Sequence, residues 1–424
     1  MIVPNELVDC ILENLYFDRD TLFNCALVGR AWIRSSQRGI FREIVLGLPS
    51  QNEPSTEKLT DAYLKATRRL ESLDALFCKK PYLASFVRSL ELRWFQHRKL
   101  DAPQRAPPEV VYTVTASLVR RLSGLNSLSF LSVNWESLPP FLKVALTDLC
   151  LARSEITRFS AVDFFVGTCA DLASLLVRMK DLKMLHITMS CTYAYDCKNL
   201  CSELEASHPP QSIQLDELRI GNHCHFVDWF SRDSCPFGFH NLKSLGIPSN
   251  LDNMISQYFG TSLKELTLYD YPFNPASRIS QLRCISRAPN LRSLSLGPIP
   301  QGQRSWNDHP VQWIDTLLKP LLSLEGNLSP LQHLTISLYL ENTLDSHYFN
   351  KWSALDTLLG KPEFASLETV EFKLAPAPKY PSVPDGASKL LGGNLPFLER
   401  SGKLHIVDAQ IGLGSFQTDV FLLS

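Results

Sequence analysis

Leu263-Lys264-Glu265-Leu266-Thr267-Leu268 is apolar at its first, fourth and sixth places and polar between them. Leu266 and Leu268 alternate with Glu265 and Thr267, the period of a strand with one buried face. The phrase recurs on either side, in Leu242-Lys243-Ser244-Leu245-Gly246-Ile247 and in Leu291-Arg292-Ser293-Leu294-Ser295-Leu296. Working outward, further copies begin at Val87, Leu125, Ile156, Leu182, Leu215, Leu331 and Leu367, so that ten are present, with starts 21 to 40 residues apart. The second, third and fifth places play no part in finding them and serve as a check. Of those 30 residues only Met184 is apolar, and Gly246 has no side chain. With 45% apolar residues in the chain, about 13 would be apolar by chance. The depletion is what exposed places on half-buried strands require.

The segments between phrases read as helical returns in places. Residues 279–285 and Trp352-Ser353-Ala354-Leu355-Asp356-Thr357-Leu358-Leu359 place apolar side chains at helical spacing. Short strands alternating with helices predict an α/β chain of about ten parallel strands stacked as a solenoid. A leucine-rich repeat spans roughly 20–29 residues and builds one strand and its return. The spacing here is longer and uneven, and no repeated Asn follows the strands, so degenerate repeats are expected over 86–424. Longer insertions fall at 93–108, which carries Trp94, Phe95, His97, Arg98, Lys99 and Arg105 and reads as a solvated loop in preference to a contact for a phosphate or an acidic peptide, at 191–210, at 298–310, and at 375–393, read as a loop.

The chain opens differently. Leu7, Val8, Ile11, Leu12 and Leu15 recur at helical spacing after Pro4, a residue tolerated in a first helical turn. A second apolar run covers Leu22-Phe23 and Ala26-Leu27-Val28, and Gly29 separates it from a third with Trp32, Ile33, Ile40 and Phe41. Three short helices within residues 1–46 bury too little surface to be robust alone, so the unit docks on the rest of the chain, on a partner, or on both. Residues 47–85 read as a linker followed by a helix from about Glu57 to Lys80, capped by Ser55 or Thr56, with Leu59, Tyr63, Ala66, Leu70, Leu73 and Phe77 on one face.

The order Pro4-x-Glu6, Ile11, Leu15, Leu22, Val28, Trp32 resembles an F-box. The stretch LFNCALVGRAWIRSSQRGIF is similar to the second half of the F-box-like domain of basidiomycete fungi. The phrase YLASFVRSLEL at 82–92 resembles the helix-to-strand junction that opens the leucine-rich region in that family. Val3 and Val28-Gly29 stand where the family has Leu and Val-Cys. The resemblance implies binding to the Skp-family adaptor of an SCF-type cullin–RING ubiquitin ligase through Pro4, Ile11, Leu15, Leu22, Val28 and Trp32. The same helical spacing also fits a local three-helix cap closing the next domain.

Composition narrows the remaining functions. Lys plus Arg count 42 and Asp plus Glu 43, a net charge of −1, without the positive field of a nucleic-acid or anionic-membrane binder. No apolar run spans a bilayer, and the first residues lack the basic start of a secretory signal. A cytoplasmic or nuclear protein is expected. The 11 cysteines are irregularly spaced and read as reduced thiols. Cys10, Cys25, Cys78, Cys150 and Cys284 fall on apolar helical faces and read as core. Cys191, Cys197, Cys201, His208, His223, Cys224, His225, Cys235 and His240 lie near one another, but no C-x₂-C pair frames a zinc knuckle, so no metal is expected. There is no phosphate-binding loop, no G-x-S-x-G and no H-E-x-x-H, and neither a cofactor nor a catalytic residue is assigned.

The function expected is therefore a non-catalytic substrate receptor, with a leucine-rich-repeat scaffold lacking ligase association as the alternative. A target protein is expected on the strand face, where the third, fifth and seventh places include Glu91, Arg93 and Tyr269. Among these, Arg158, His186, Glu217, Arg219 and Glu265 are the substrate-binding candidates.

Overall fold

A computed structural model describes residues 5–49, 56–96, 109–152, 155–191, 212–221, 227–230, 235–248, 261–269, 288–301, 310–322, 329–341, 349–377 and 380–408. The chain divides into two compact units, one running to Ile213 with 223–237 added, the other taking 214–222 and 238–420.

The first unit starts with α1 (Asn5–Glu13), α2 (Arg19–Val28) and α3 (Arg30–Ile40). Their shared core is Val8, Leu12, Leu22 and Ile40, with Leu15, Cys25, Trp32 and Phe41 packed against it. Asp18 caps α2, accepting the backbone N–H of Thr21 at 2.9 Å and its hydroxyl at 2.6 Å. These bonds, led by the Thr21 hydroxyl, hold the Asp18 carboxyl below its ordinary value. Gly39 leaves room for the Leu22 side chain, which lies 2.7 Å from where a Cβ would stand.

Five parallel strands follow in chain order: β1 (Glu43–Gly47), β2 (Ser89–Arg93), β3 (Ser127–Leu131), β4 (Arg158–Val166) and β5 (Met184–Cys191). Between them run α4 (Thr56–Lys79), α5 (Pro81–Ala84), α6 (Glu109–Arg121), α7 (Pro140–Ala152) and α8 (Cys169–Leu176). The long helix lies within a residue of its expected bounds. Among the described residues the second unit holds seven strands of the parallel sheet, again in chain order: β6 (Glu217–Ile220), β7 (Ser244–Pro248), β8 (Glu265–Tyr269), β9 (Ser293–Gln301), β10 (His333–Leu340), β11 (Thr369–Pro376) and β12 (Leu404–Asp408). Every neighbouring pair among these seven is parallel. Its helices are α9 (Pro310–Leu322), α10 (Ser353–Leu359), α11 (Ala387–Gly393) and α12 (Pro396–Arg400).

All ten phrases are strands, and each strand begins at the third place of its phrase. The thirty side chains at places one, four and six are buried, none more than 3% exposed. No repeated Asn is needed to tie the turns together, because the backbone does so. The second-place carbonyl of one phrase accepts the second- and third-place N–H groups of the next. Arg88 receives Asn126 and Ser127, Asn126 receives Thr157 and Arg158, and Thr157 receives Lys183 and Met184. In the second unit Asp216, Lys243, Lys264, Arg292 and Gln332 do the same for their successors.

Two strands exceed the expected ten. Arg42 opens the first ladder by receiving Arg88 and Ser89, so Phe41-Arg42-Glu43-Ile44-Val45-Leu46 is a phrase of the array, although its sequence reads as the end of the helical unit. The sheet thus starts inside residues 1–46, before the linker. At the other end Ser401 occupies the first place, which hides the phrase that forms β12. The stretch 375–393, read as a loop, ends in helix α11.

Beyond β2, β3 and in β4 the chain takes one left-handed step, at Trp94 (φ 61°), Ser132 (φ 53°) and Asp163 (φ 50°). The Trp94 N–H donates to the Leu131 carbonyl and the Ser132 N–H to the Val162 carbonyl, each at 2.9 Å, so the three steps stand side by side. The extra residue resets the alternation, and Phe95, Val133 and Phe164 point inward again. Short polar residues tolerate this backbone, whereas for a Trp it is disfavoured by ~1–2 kcal/mol.

Candidate functional site

Among the described residues, two surfaces of the first unit and one of the second carry side chains available to a partner. The first is the outer side of α1–α3. Core formation uses Val8, Leu12 and Leu22, and leaves Leu7, Ile11, Phe23, Leu27 and Val28 open, Leu27 at 84% and Val28 at 70% exposure. Of the expected adaptor residues, Ile11 and Val28 are exposed, and Leu15 and Trp32 are half-buried. Leu22 is fully buried and holds the three helices together, so its side chain offers no free surface. Pro4 lies outside the described residues. The inner side of the helical unit is docked: Phe41 meets Phe77 of α4 edge-on at 6.0 Å, and Arg19, bonded within the unit to the Ile40 carbonyl (3.3 Å), also donates to the carbonyl of Glu43 in β1 (2.5 Å).

The second surface is the open face of β1–β5. Register fixes its rows. Glu43, Ser89, Ser127, Arg158 and Met184 form one; Val45, Glu91, Ser129, Ser160 and His186 the next; Gly47, Arg93, Leu131, Val162 and Thr188 the third. The candidates Arg158 and His186 thus stand on adjacent strands, with the Ser160 hydroxyl 3.5 Å from His186 Nδ1. Glu91 takes the guanidinium of Arg93, Nη2 lying 3.2 Å from Oε2. Loss of solvent, then the Glu91 charge, push the Glu43 carboxyl above its ordinary value.

The third is the open face of β6–β12. Here Glu217, Ser244, Glu265, Ser293, His333 and Thr369 share one row, and Arg219, Gly246, Thr267, Ser295, Thr335 and Glu371 the next. Arg219 Nε donates to Glu217 Oε1 at 2.6 Å. Gly246 makes this arrangement possible. A Cβ there would stand 2.6 Å from the Tyr269 hydroxyl and 3.1 Å from Arg219 Cγ, so the two side chains meet over the glycine. Burial raises the Tyr269 phenol above its ordinary value, an effect the neighbouring Arg219 opposes. Glu217 and Arg219 are therefore paired, and Glu265 stands in the row of Glu217, two strands away. Arg158 and His186 belong to the other unit, and the five candidates form two sets.

Tyr269 is legible as an outward residue, but its alliance with Arg219 is not, because nothing in a sequence marks Gly246 as the place where two side chains cross. The left-handed Asp163 escapes sequence reasoning for the same reason. Its carboxylate accepts the Ser132 hydroxyl at 2.7 Å and the Gln96 amide at 3.4 Å. Cys10 and Cys78, read as core, are exposed, since each lies on the solvent side of its helix; Cys25 is half-buried and Cys150 buried. Cys284 and most of the 191–240 Cys/His group lie outside the described residues. Among the described residues no helix is long and apolar enough to cross a membrane.

No family model matches the chain, and no curated protein matches it.

Proposed function

We propose that the chain is a non-catalytic substrate receptor of an SCF-type cullin–RING ubiquitin ligase, working in the cytoplasm or nucleus. In this reading the parallel strands and their returns are degenerate leucine-rich repeats. The helices α1–α3 bind a Skp-family adaptor, and the strand faces bind a target protein. The receptor supplies no bond-making group; it raises the rate of ubiquitin transfer by holding target and loading machinery together.

One observation carries the reading. The helical unit satisfies its core with Val8, Leu12, Leu22 and Ile40 and still leaves large apolar side chains, Ile11 on α1 and Phe23, Leu27 and Val28 on α2, in water. Exposed apolar side chains of this size, in the order of an F-box, support a partner. A second reading has its own observation. The helix α3 runs directly into β1, and Phe41 and Arg19 anchor the unit to its neighbours, as a cap of a repeat scaffold would be anchored.

Co-purification with a Skp-family adaptor decides between them. Adaptor recovery with the parent chain and its loss in Ile11→Asp are expected for the receptor. No recovery from the parent leaves the scaffold, and equal recovery from both sinks the assignment of adaptor binding to these residues. Ile11 is half exposed, so the substitution spares the fold, and a melting curve checks that it does.

A further inference from the structure

We propose that the rim of the first unit at Trp94 is a docking site for a peptide segment that carries an apolar side chain beside a Lys or Arg. The inference deepens the receptor reading, on which it rests for the origin of the peptide. Trp94 is 42% exposed and held in left-handed backbone. The two neighbouring strands fill the equivalent place with Ser132 and Asp163, so the step itself does not require an aromatic ring. An open, rigidly placed indole in a conformation that disfavours it marks a site for something outside the unit.

Its surroundings say what that is. Arg93, Leu131 and Val162 are consecutive in one row beside the strand that leads into Trp94; Val162 is buried, whereas Leu131 is only half-buried and is the apolar side chain this row offers next to Trp94. Neighbouring places on the face carry the small hydroxyls Ser89, Ser127, Ser129 and Ser160. With strands ~4.8 Å apart, the apolar spot is roughly one or two side chains wide. An apolar centre in a polar ring is the anatomy of a small protein-binding hot spot. Charge supplies the second element. The Arg93 guanidinium is taken by Glu91, whereas Asp163, among the described residues, receives the uncharged Ser132 and Gln96. Among the described residues the rim keeps the negative charge of Asp163, which a basic side chain would complement.

The test selects displayed random short peptides on the full chain in physiological salt. Enriched sequences are expected to place Leu, Met, Phe or Trp within two residues of Lys or Arg. Their affinity is expected to fall about tenfold in Trp94→Ser and in Leu131→Ser, and less in Asp163→Asn, where the salt dependence also flattens. Melting curves confirm that the variants fold, and either surface variant alone suffices. No enrichment, enriched peptides without the basic residue, or equal binding to both serine variants overturns the proposal. Adaptor recovery separates this outcome from the receptor reading. A parent that selects such peptides but recovers no adaptor loses only the ligase assignment. One that recovers adaptor but selects no peptide loses only this site.

Discussion

The buried carboxylate of Asp356 receives the backbone N–H of Leu398 at 3.0 Å, from a residue 42 positions along the chain. Its other oxygen receives the N–H of Phe397 at 2.9 Å. The helix α12 opens on Leu395-Pro396 and has no side-chain cap of its own. Asp356, on α10, supplies that cap from the preceding return. Asp356→Ala leaves both N–H groups without this acceptor, and a buried one left so is unfavourable by ~1–3 kcal/mol. We expect a loss on the order of 2–3 kcal/mol, read as a lower urea midpoint with an unchanged slope. Asp356→Asn, which keeps one acceptor, is expected to lose less.

The array is legible because its signal is redundant. Places one, four and six repeat, and the exposed places between them are independently polar. The two unexpected strands each fail at a single place: Phe41 is absorbed into the helical pattern before it, and Ser401 breaks the apolar rule. Helix α4 is legible for the same reason as the strands, a long run of one period. The site is less legible. Outward places can be named from alternation, but what they touch depends on neighbours about 30 residues away. Burial of Leu22 and exposure of Ile11 on helices of similar period depend on which side packs, and only packing reveals that. Cys10 and Cys78 are misplaced by the same ambiguity.

Glu43 gives the first strand a pH signature. Its carboxyl is raised in the fold by loss of solvent and by Glu91, so the folded chain holds this proton more tightly than the unfolded chain. The group therefore stabilises the fold below the unfolded Glu value, and that stability is lost as pH rises through the folded value. At neutral pH the ionised carboxylate opposes folding. Glu43→Gln is expected to melt higher than the parent at pH 7, with the difference shrinking as pH falls through the raised value. A difference independent of pH would mean that Glu43 acts through packing and not through its charge.

The cysteines should react in the order of their burial. Cys150 is fully enclosed, and burial pushes its thiol up to about 12. Cys10 and Cys78 face solvent. Thiolate is the nucleophile, and access governs the rest. Brief treatment of native protein with iodoacetamide at pH 8, followed by peptide mapping, should modify Cys10 and Cys78 and spare Cys150 until denaturant is added. Early labelling of Cys150 would show that α7 opens on the timescale of the reaction.

Gly246 and Tyr269 should be energetically coupled through a hydroxyl. The Cβ of Gly246→Ala would stand 2.6 Å from that oxygen, closer than van der Waals contact permits, and 3.1 Å from Arg219 Cγ. Alanine there must displace the phenol, the guanidinium stem, or both, and so disturb the bond from Arg219 to Glu217. Tyr269→Phe removes the nearest atom and leaves the ring. If the clash is with the hydroxyl, Gly246→Ala is tolerated better in the Tyr269→Phe background than beside the native Tyr269. The double variant should then lose less stability than the sum of the two single ones, with a coupling on the order of 0.5–1 kcal/mol. Glycine within a strand is itself unfavourable, which works in the same direction once the hydroxyl is gone. Strict additivity would place the strain of Gly246→Ala on Arg219 Cγ and on the Tyr269 ring carbon Cε2, each 3.1 Å away, and not on the hydroxyl. Chemical denaturation of the four proteins decides it, and target capture by the same set reports whether the crossed pair over Gly246 matters to recognition.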